Sequence, residues 1–128
     1  MLTGSCLCQQ VRYQIDANID EIVHCHCTTC RKAHGAAFSS VAKVMDKDWQ
    51  ITAGEALLTS FESSAGKFRY FCSCCGSQIY AKRNYSAHLI LRMGTLDSDI
   101  EVLKQSHIWL EQQASWYEVN HQLPCFAQ

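Results

Sequence analysis

Proline occurs once in the 128 residues, at Pro124, and glycine only six times. So few breakers leave no Pro/Gly/Ser-rich linker, and no repeat or low-complexity segment is visible. The chain reads as one domain over residues 1–128. No apolar run approaches the roughly 20 residues that a membrane-spanning helix needs. An excess of one charge is missing too: eleven Lys and Arg stand against twelve Asp and Glu, for a formal net charge of −1. Without a basic block there is no electrostatic footprint for nucleic acid, and without an acidic tail there is no solvated arm. The first residues, MLTGSCLCQQVRY, lack the positive-then-apolar pattern of a secretory leader. The expectation is a cytoplasmic protein with neither a membrane nor a nucleic acid as partner.

Long helical periodicity is also scarce. The apolar pattern is short and mostly of period two, which marks strands over 11–15, 38–44, 49–52, 56–62, 67–72, 77–82 and 88–96. The stretches between them carry turn formers, such as DKD, TAGE, SSAG and RNYS. One helical turn is expected in TTCRKAHG, closed by Gly35, and a second short turn in LDSDIEVLK. Many short strands separated by turns predict an all-β sandwich or barrel with little helix.

Cysteine is abundant: nine in 128 residues. In a reducing compartment that density points to metal or thiol chemistry rather than to disulfides, and the odd count and tight clustering agree. Cys72 and Cys75 form C-x-x-C followed by Gly76. Two thiolates at this spacing on a tight turn grip one tetrahedral Zn²⁺, and the glycine permits the positive φ that turns amides toward sulfur. Cys6 and Cys8, a C-x-C pair, are the natural complement. A closed four-cysteine site has no open position and is structural, its binding energy being folding energy. Cys74 lies inside the knuckle as a bystander or alternative ligand, and Cys125 reads as a buried apolar residue. The tryptophans Trp49, Trp109 and Trp116 read as core or groove residues.

Cys25, Cys27 and Cys30 form the third cluster. On a strand Cys25 and Cys27 share a face, and Cys30 curls back from the following turn. A fourth ligand from His24, His26, His34, Cys74 or Cys125 would close the site. An open fourth position would instead hold water or a substrate thiolate. The residues alone favour neither. Three thiolates donate strongly, so an open site suits activation of a thiol better than ionisation of water. Arg31 and Lys32 follow directly, placed to offset the negative charge or to clamp carboxylates. His24 and His26 alternate with the cysteines and are expected to be packed or hydrogen-bonded rather than ligands. His34 is expected at the surface.

GSCLCQQVRY, HCHCTTCRKAHGAAF, FCSCCGSQIY, MGTLDSD and SHIWLEQQASW occur in an order and spacing that resembles the glutathione-dependent formaldehyde-activating enzyme family. That family is also called centromere-protein-V-like. The likeness runs from Gly4 to Phe126. One departure is Gln9, where many relatives have glycine. The resemblance implies a twisted β-sandwich of the Mss4 type. It implies one structural zinc on Cys6, Cys8, Cys72 and Cys75, and a second, more labile zinc on Cys25, Cys27 and Cys30 at the active site, which favours the open reading. It further implies a carbon–sulfur lyase that joins formaldehyde to the thiol of glutathione, with Arg31, Lys32 or Arg92 holding the carboxylates of the tripeptide. Two rivals remain. One is a non-catalytic zinc module that binds a protein. The other is a thiol-redox protein, against which the missing βαβ pattern argues.

Overall fold

Period-two alternation becomes strand almost wherever it occurs. The computed structural model describes residues 1–101 and 104–128. Its elements run β1 (Leu2–Ser5), β2 (Arg12–Ile15), β3 (Glu21–Cys25), α1 (Thr28–His34), β4 (Ser39–Met45), β5 (Trp49–Ala53), β6 (Leu58–Ser64), β7 (Lys67–Cys72), β8 (Gln78–Arg83), β9 (His88–Arg92) and β10 (Lys104–Ile108). The expected run 88–96 stops early: β9 ends at Arg92 and Met93–Thr95 form a 3-10 turn, in which the Thr95 hydroxyl donates to the Arg92 carbonyl at 2.9 Å. The run 56–62 begins with another such turn before β6. The expected second helical turn, 96–104, falls partly outside the described residues, and residues 96–101 contain no helix.

The strands form two sheets, one of order β1-β2-β5 and one of order β10-β3-β4-β9-β8-β7-β6. All pairings are antiparallel except β10 with β3, where Ile108 sits opposite Cys25. This is the all-β sandwich that the pattern predicts.

The registers assign a job to each face of the large sheet. One face carries Ala42 and Val44 on β4, opposite Leu91 and Leu89 on β9. With Val11, Tyr13 and Ile15 of the small sheet they form the buried core. A run of aromatic rings crosses the interface: Tyr13 stacks on Trp49 at 4.5 Å, Trp49 meets Tyr80 edge-on at 5.3 Å, and Tyr80 stacks on Tyr70 at 4.6 Å. Such contacts stabilise by about 0.5–1.5 kcal/mol each beyond their buried area. The alternate residues point to the opposite face. There Cys25 lies beside Ser39, Val41 beside Arg92, and Arg69 beside Ala81, which in turn lies beside Ile90.

Helix α1 lies next to that second face, packing along β4. Cys27 is its N-cap, the sulfur accepting from the Cys30 N–H at 3.3 Å. Gly35 closes it at φ 58°, ψ 39°, as the sequence predicts; only glycine takes this left-handed cap without strain. Among the described residues no helix is long and apolar enough to cross a membrane.

Candidate active site

Two turns bring the first cysteine group together. Gly76, at φ 79°, sends its N–H back to the Cys72 carbonyl at 2.8 Å, closing the knuckle after β7. Cys6 and Cys8 lie on the β1–β2 hairpin. The Cys6 and Cys8 sulfurs are 3.5 Å apart and those of Cys8 and Cys72 3.9 Å. Zn–S bonds of about 2.3 Å in a tetrahedron put sulfurs about 3.8 Å apart. Cys6, Cys8, Cys72 and Cys75 therefore fit one such ion, with Cys6 and Cys72 buried and Cys8 and Cys75 half-buried. The Val11 N–H donates to Cys6 Sγ at 3.3 Å and Gln10 Nε2 to Cys8 Sγ at 3.5 Å, the kind of support that thiolate ligands receive. Cys74 is exposed and stands outside this group, accepting from Gln10 Nε2 at 3.3 Å.

Cys25, Cys27 and Cys30 make the second group, their sulfurs within 4.8 Å of one another. Strand β3 delivers Cys25, the start of α1 delivers Cys27, and its first turn folds Cys30 underneath. The Cys30 thiol is pulled down to about 3 by its hydrogen bond with Cys25, with help from Ser39, Cys27 and Arg69 and against the effect of burial. Its partner Cys25 is pushed the other way. One sulfur of the group is thus predisposed to be a thiolate, which is the form that binds metal.

These cysteines form one wall of a pocket of about 400 Å³. Facing them are Lys67, Arg69, Arg83 and Arg92, and no Asp or Glu lines the pocket. Arg69 and Arg92 are only 3% and 4% exposed. Arg69 Nε donates to Ser63 Oγ at 2.9 Å and its Nη2 lies 3.7 Å from Cys30 Sγ, while Nη1 has no partner. Arg92 is buried against Arg69, which brings its guanidinium down to about 10, still a cation at neutral pH. Burial also lowers Lys67, as do Arg69 and Arg83 beside it. A buried cation without a carboxylate is costly unless a counter-charge reaches it. Thiolates supply part of that here, and an anionic ligand would supply the rest.

Of the three cations expected from the sequence, only Arg92 lines this pocket. Arg31 donates through Nη1 to the Gln112 carbonyl at 2.8 Å. Lys32 is exposed and borders a separate hollow with Phe61. Lys67, Arg69 and Arg83 went unread, although strand alternation in KFRYFC places Lys67 and Arg69 on one face. His24 and His26 are hydrogen-bonded as expected: His24 to Ser40 at 2.9 Å and Gln105 at 2.8 Å, and His26 Nε2 to His107 Nδ1 at 2.8 Å.

Three expectations need correction. His34 is half-buried rather than fully at the surface; the end of α1 lays it beside Arg92, where burial holds it at about 4 and its Nε2 has no partner. Cys125 is half-buried, its S–H donating to the Leu123 carbonyl at 3.3 Å. Trp116 is 69% exposed, because it follows the last regular element rather than entering the core. Trp49 lies against the core and Trp109 lines the cysteine pocket.

Comparison with known proteins adds three findings. The model of the glutathione-dependent formaldehyde-activating enzyme family matches residues 1–112. A Podospora anserina protein with the provisional name of such an enzyme is 33% identical over 82 residues, which is 62% of this chain and 38% of that protein. An Aspergillus flavus protein with the same provisional name is 32% identical over 79 residues, 60% of this chain and 41% of its own. The aligned stretch thus spans about two fifths of each relative's length. A Rhodobacter sphaeroides protein of known crystal structure superposes with a TM-score of 0.65 at 19% identity, covering 77% of this chain and 90% of that one. At that identity the likeness concerns the fold.

Proposed function

Because this chain belongs to the glutathione-dependent formaldehyde-activating enzyme family, we propose that its three-cysteine pocket binds a thiol such as glutathione and joins it to a small aldehyde such as formaldehyde, or reverses that step as a carbon–sulfur lyase. The observation that carries this reading is the pocket itself: three thiols on one wall, four cations opposite, and no carboxylate in the lining. Such a site is built for a molecule that brings both a sulfur and negative charge. Zinc held by Cys25, Cys27 and Cys30 would lower the pKa of a substrate thiol and supply a nucleophile at neutral pH.

The side chains do the rest. Arg92 and Arg69 line the pocket as cations that would attract a carboxylate, and Lys67 and Arg83 widen the positive field. This holds the thiol against the aldehyde and saves the entropy of bringing two reactants together. Sulfur attacks the carbonyl carbon, a C–S bond forms, and the oxygen takes up the proton that the thiol gave. Trp109, Ile90 and Ile108 in the lining keep bulk water away from the reacting atoms. Cys6, Cys8, Cys72 and Cys75 carry a structural zinc in this reading and take no part in the chemistry.

The test is zinc stoichiometry on chelator-free protein, then titration with glutathione while following the metal and the rate of adduct formation from formaldehyde. The expected result is two ions per chain, one of them perturbed by glutathione, with a rate above the spontaneous one. Two ions indifferent to glutathione and no rate enhancement would overturn the reading and leave a closed, non-catalytic zinc module.

A further inference from the structure

The sheet face that carries the three-cysteine pocket continues beyond it. The registers set its residues in rows: Cys25 opposite Ser39, then Val23, Val41 and Arg92 side by side, then Lys43 opposite Ile90, then Met45. Successive rows are two strand residues, roughly 6.5–7 Å, apart. A second space of about 460 Å³ lies over the later rows and shares Val41 and Ile90 with the pocket. Val23 and Met45 extend its apolar wall outward, and all four of these side chains are half-buried. Pocket and groove thus form one trough, cationic at the cysteine end and apolar beyond it.

The groove's composition specifies what it takes. Lys43 stands exposed between Val41 and Met45; such a side chain lays its methylene stem along apolar surface and keeps its amine in water. Asp20 and Glu21 also line the groove, and Glu21 pairs with Lys104 at 3.6 Å. Two acids against two lysines leave no net charge to attract an ionised group. The volume falls in the range of about 300–1,000 Å³ that small-molecule sites occupy. Formaldehyde leaves this groove empty, because its carbonyl carbon carries only hydrogen besides oxygen. An aldehyde with a chain does not: with its carbonyl carbon at the sulfur, the chain runs past Val41 and Ile90 toward Val23 and Met45.

We propose that the groove takes the apolar chain of the electrophile, so that the aldehyde joined to the thiol is one with an alkyl tail. The assignment rests on the reading of the three-cysteine pocket as a thiol site. The step itself is unchanged: a C–S bond forms at the carbonyl carbon, the π pair of C=O moves to oxygen, and the oxygen takes the proton that the thiol gives up. Val23 and Met45 lie outside the reacting centre and set the preference for chain length. Each methylene laid on the wall with half its surface left in water raises affinity about twofold, so a six-carbon chain gains roughly tenfold or more over a one-carbon group.

The test uses the full-length, zinc-loaded protein and S-alkyl glutathiones, stable thioethers whose alkyl group stands where the aldehyde carbon and its tail would. Calorimetry should show S-hexylglutathione binding at least tenfold more tightly than S-methylglutathione, with the S-butyl compound between them. Val23→Asp should remove that difference; should this variant fold poorly, Met45→Asp should remove the further gain from hexyl to octyl. With glutathione as the thiol, kcat/KM for hexanal relative to formaldehyde should fall at least tenfold in Val23→Asp, while the value for formaldehyde stays as it was. S-hexyl and S-methyl compounds that bind alike, or variants that leave both the gradient and the ratio unchanged, would overturn the groove even if glutathione and formaldehyde turn over. A gradient that the variants remove, without acceleration of adduct formation from any aldehyde, would uphold the groove and overturn the chemistry assigned to the cysteines. Absence of binding by every S-alkyl compound would overturn both.

Discussion

Gln9 shows how one residue can carry a strain that the rest of the chain tolerates. It sits at φ 65°, in the left-handed region, directly after Cys8. That conformation costs a residue with a side chain roughly 1–2 kcal/mol, a cost that glycine escapes. Gln9→Gly gives up an exposed bond from Arg12 Nη2 at 3.2 Å and some unfolded-chain entropy. The net expectation is a gain of about 0.5–1 kcal/mol, read as a higher urea midpoint with unchanged slope. His34 gives a pH signature. Its pKa is about 4 in the folded chain and about 6.5 when unfolded. The unfolded state therefore binds the extra proton first, and stability is complete above about pH 6.5 and falls as the pH drops toward 4. His26 is lowered to about 4 as well, so His34→Gln should reduce that slope rather than abolish it in denaturant midpoints measured across the window; an unchanged slope would rule the His34 imidazole out as a source. Neither residue was legible at this level in the sequence, because a positive φ and a buried imidazole are products of where a turn and a helix end come to rest.

At the scale of elements, α1 is capped by an atom that is also a candidate metal ligand. Cys27 is at once a candidate ligand and the N-cap. Serine is among the best N-caps, so Cys27→Ser should keep the helix and the fold while it lowers zinc content by about one ion per chain and abolishes activity. Metal analysis beside circular dichroism checks both halves; loss of the fold would make this second site structural. Arg69→Met probes the opposite wall. The methionine can fill the volume but offers neither charge nor the contact to Cys30, so the KM for glutathione should rise at least tenfold with little change in melting temperature. Elements with clean alternation, such as β7, were legible to the residue. Strands β1, β3 and β10 were not, since β1 is only four residues long, β3 runs into the cysteine motif and β10, KQSHI, is a polar edge strand with no apolar alternation. The cations were hidden for a related reason. Arg31 and Lys32 are next to the cysteines in sequence, whereas Lys67 and Arg69 become their neighbours only through the pairing order of the large sheet.

For the whole molecule, the four-cysteine group would work as a clip once it holds an ion. It joins the β1–β2 hairpin of the small sheet to the β7–β8 turn of the large one, across the same interface that the aromatic rings span. A chelator titration should remove the ion at the open three-cysteine site first and leave the melting temperature nearly unchanged. Removal of the second ion should then lower it steeply or unfold the chain, since that binding energy is folding energy; calorimetry at each metal content distinguishes the two steps. The all-β architecture was legible because alternation and turn residues agree along the chain, but the order of strands was not, since it depends on contacts distant in sequence. The parallel pair β10 on β3 bears on how the protein is made. A nascent chain has all four cysteines of the clip once Cys75 has left the ribosome. The strand that bears Cys25 has β4 to pair with by then, and gains its second neighbour, β10, only when Ile108 has followed, 33 residues and roughly 2–7 s later at typical synthesis rates of about 5–20 residues per second. The β10 side of the three-cysteine pocket, which Ile108 and Trp109 line, is therefore completed after all four cysteines of the other group are available.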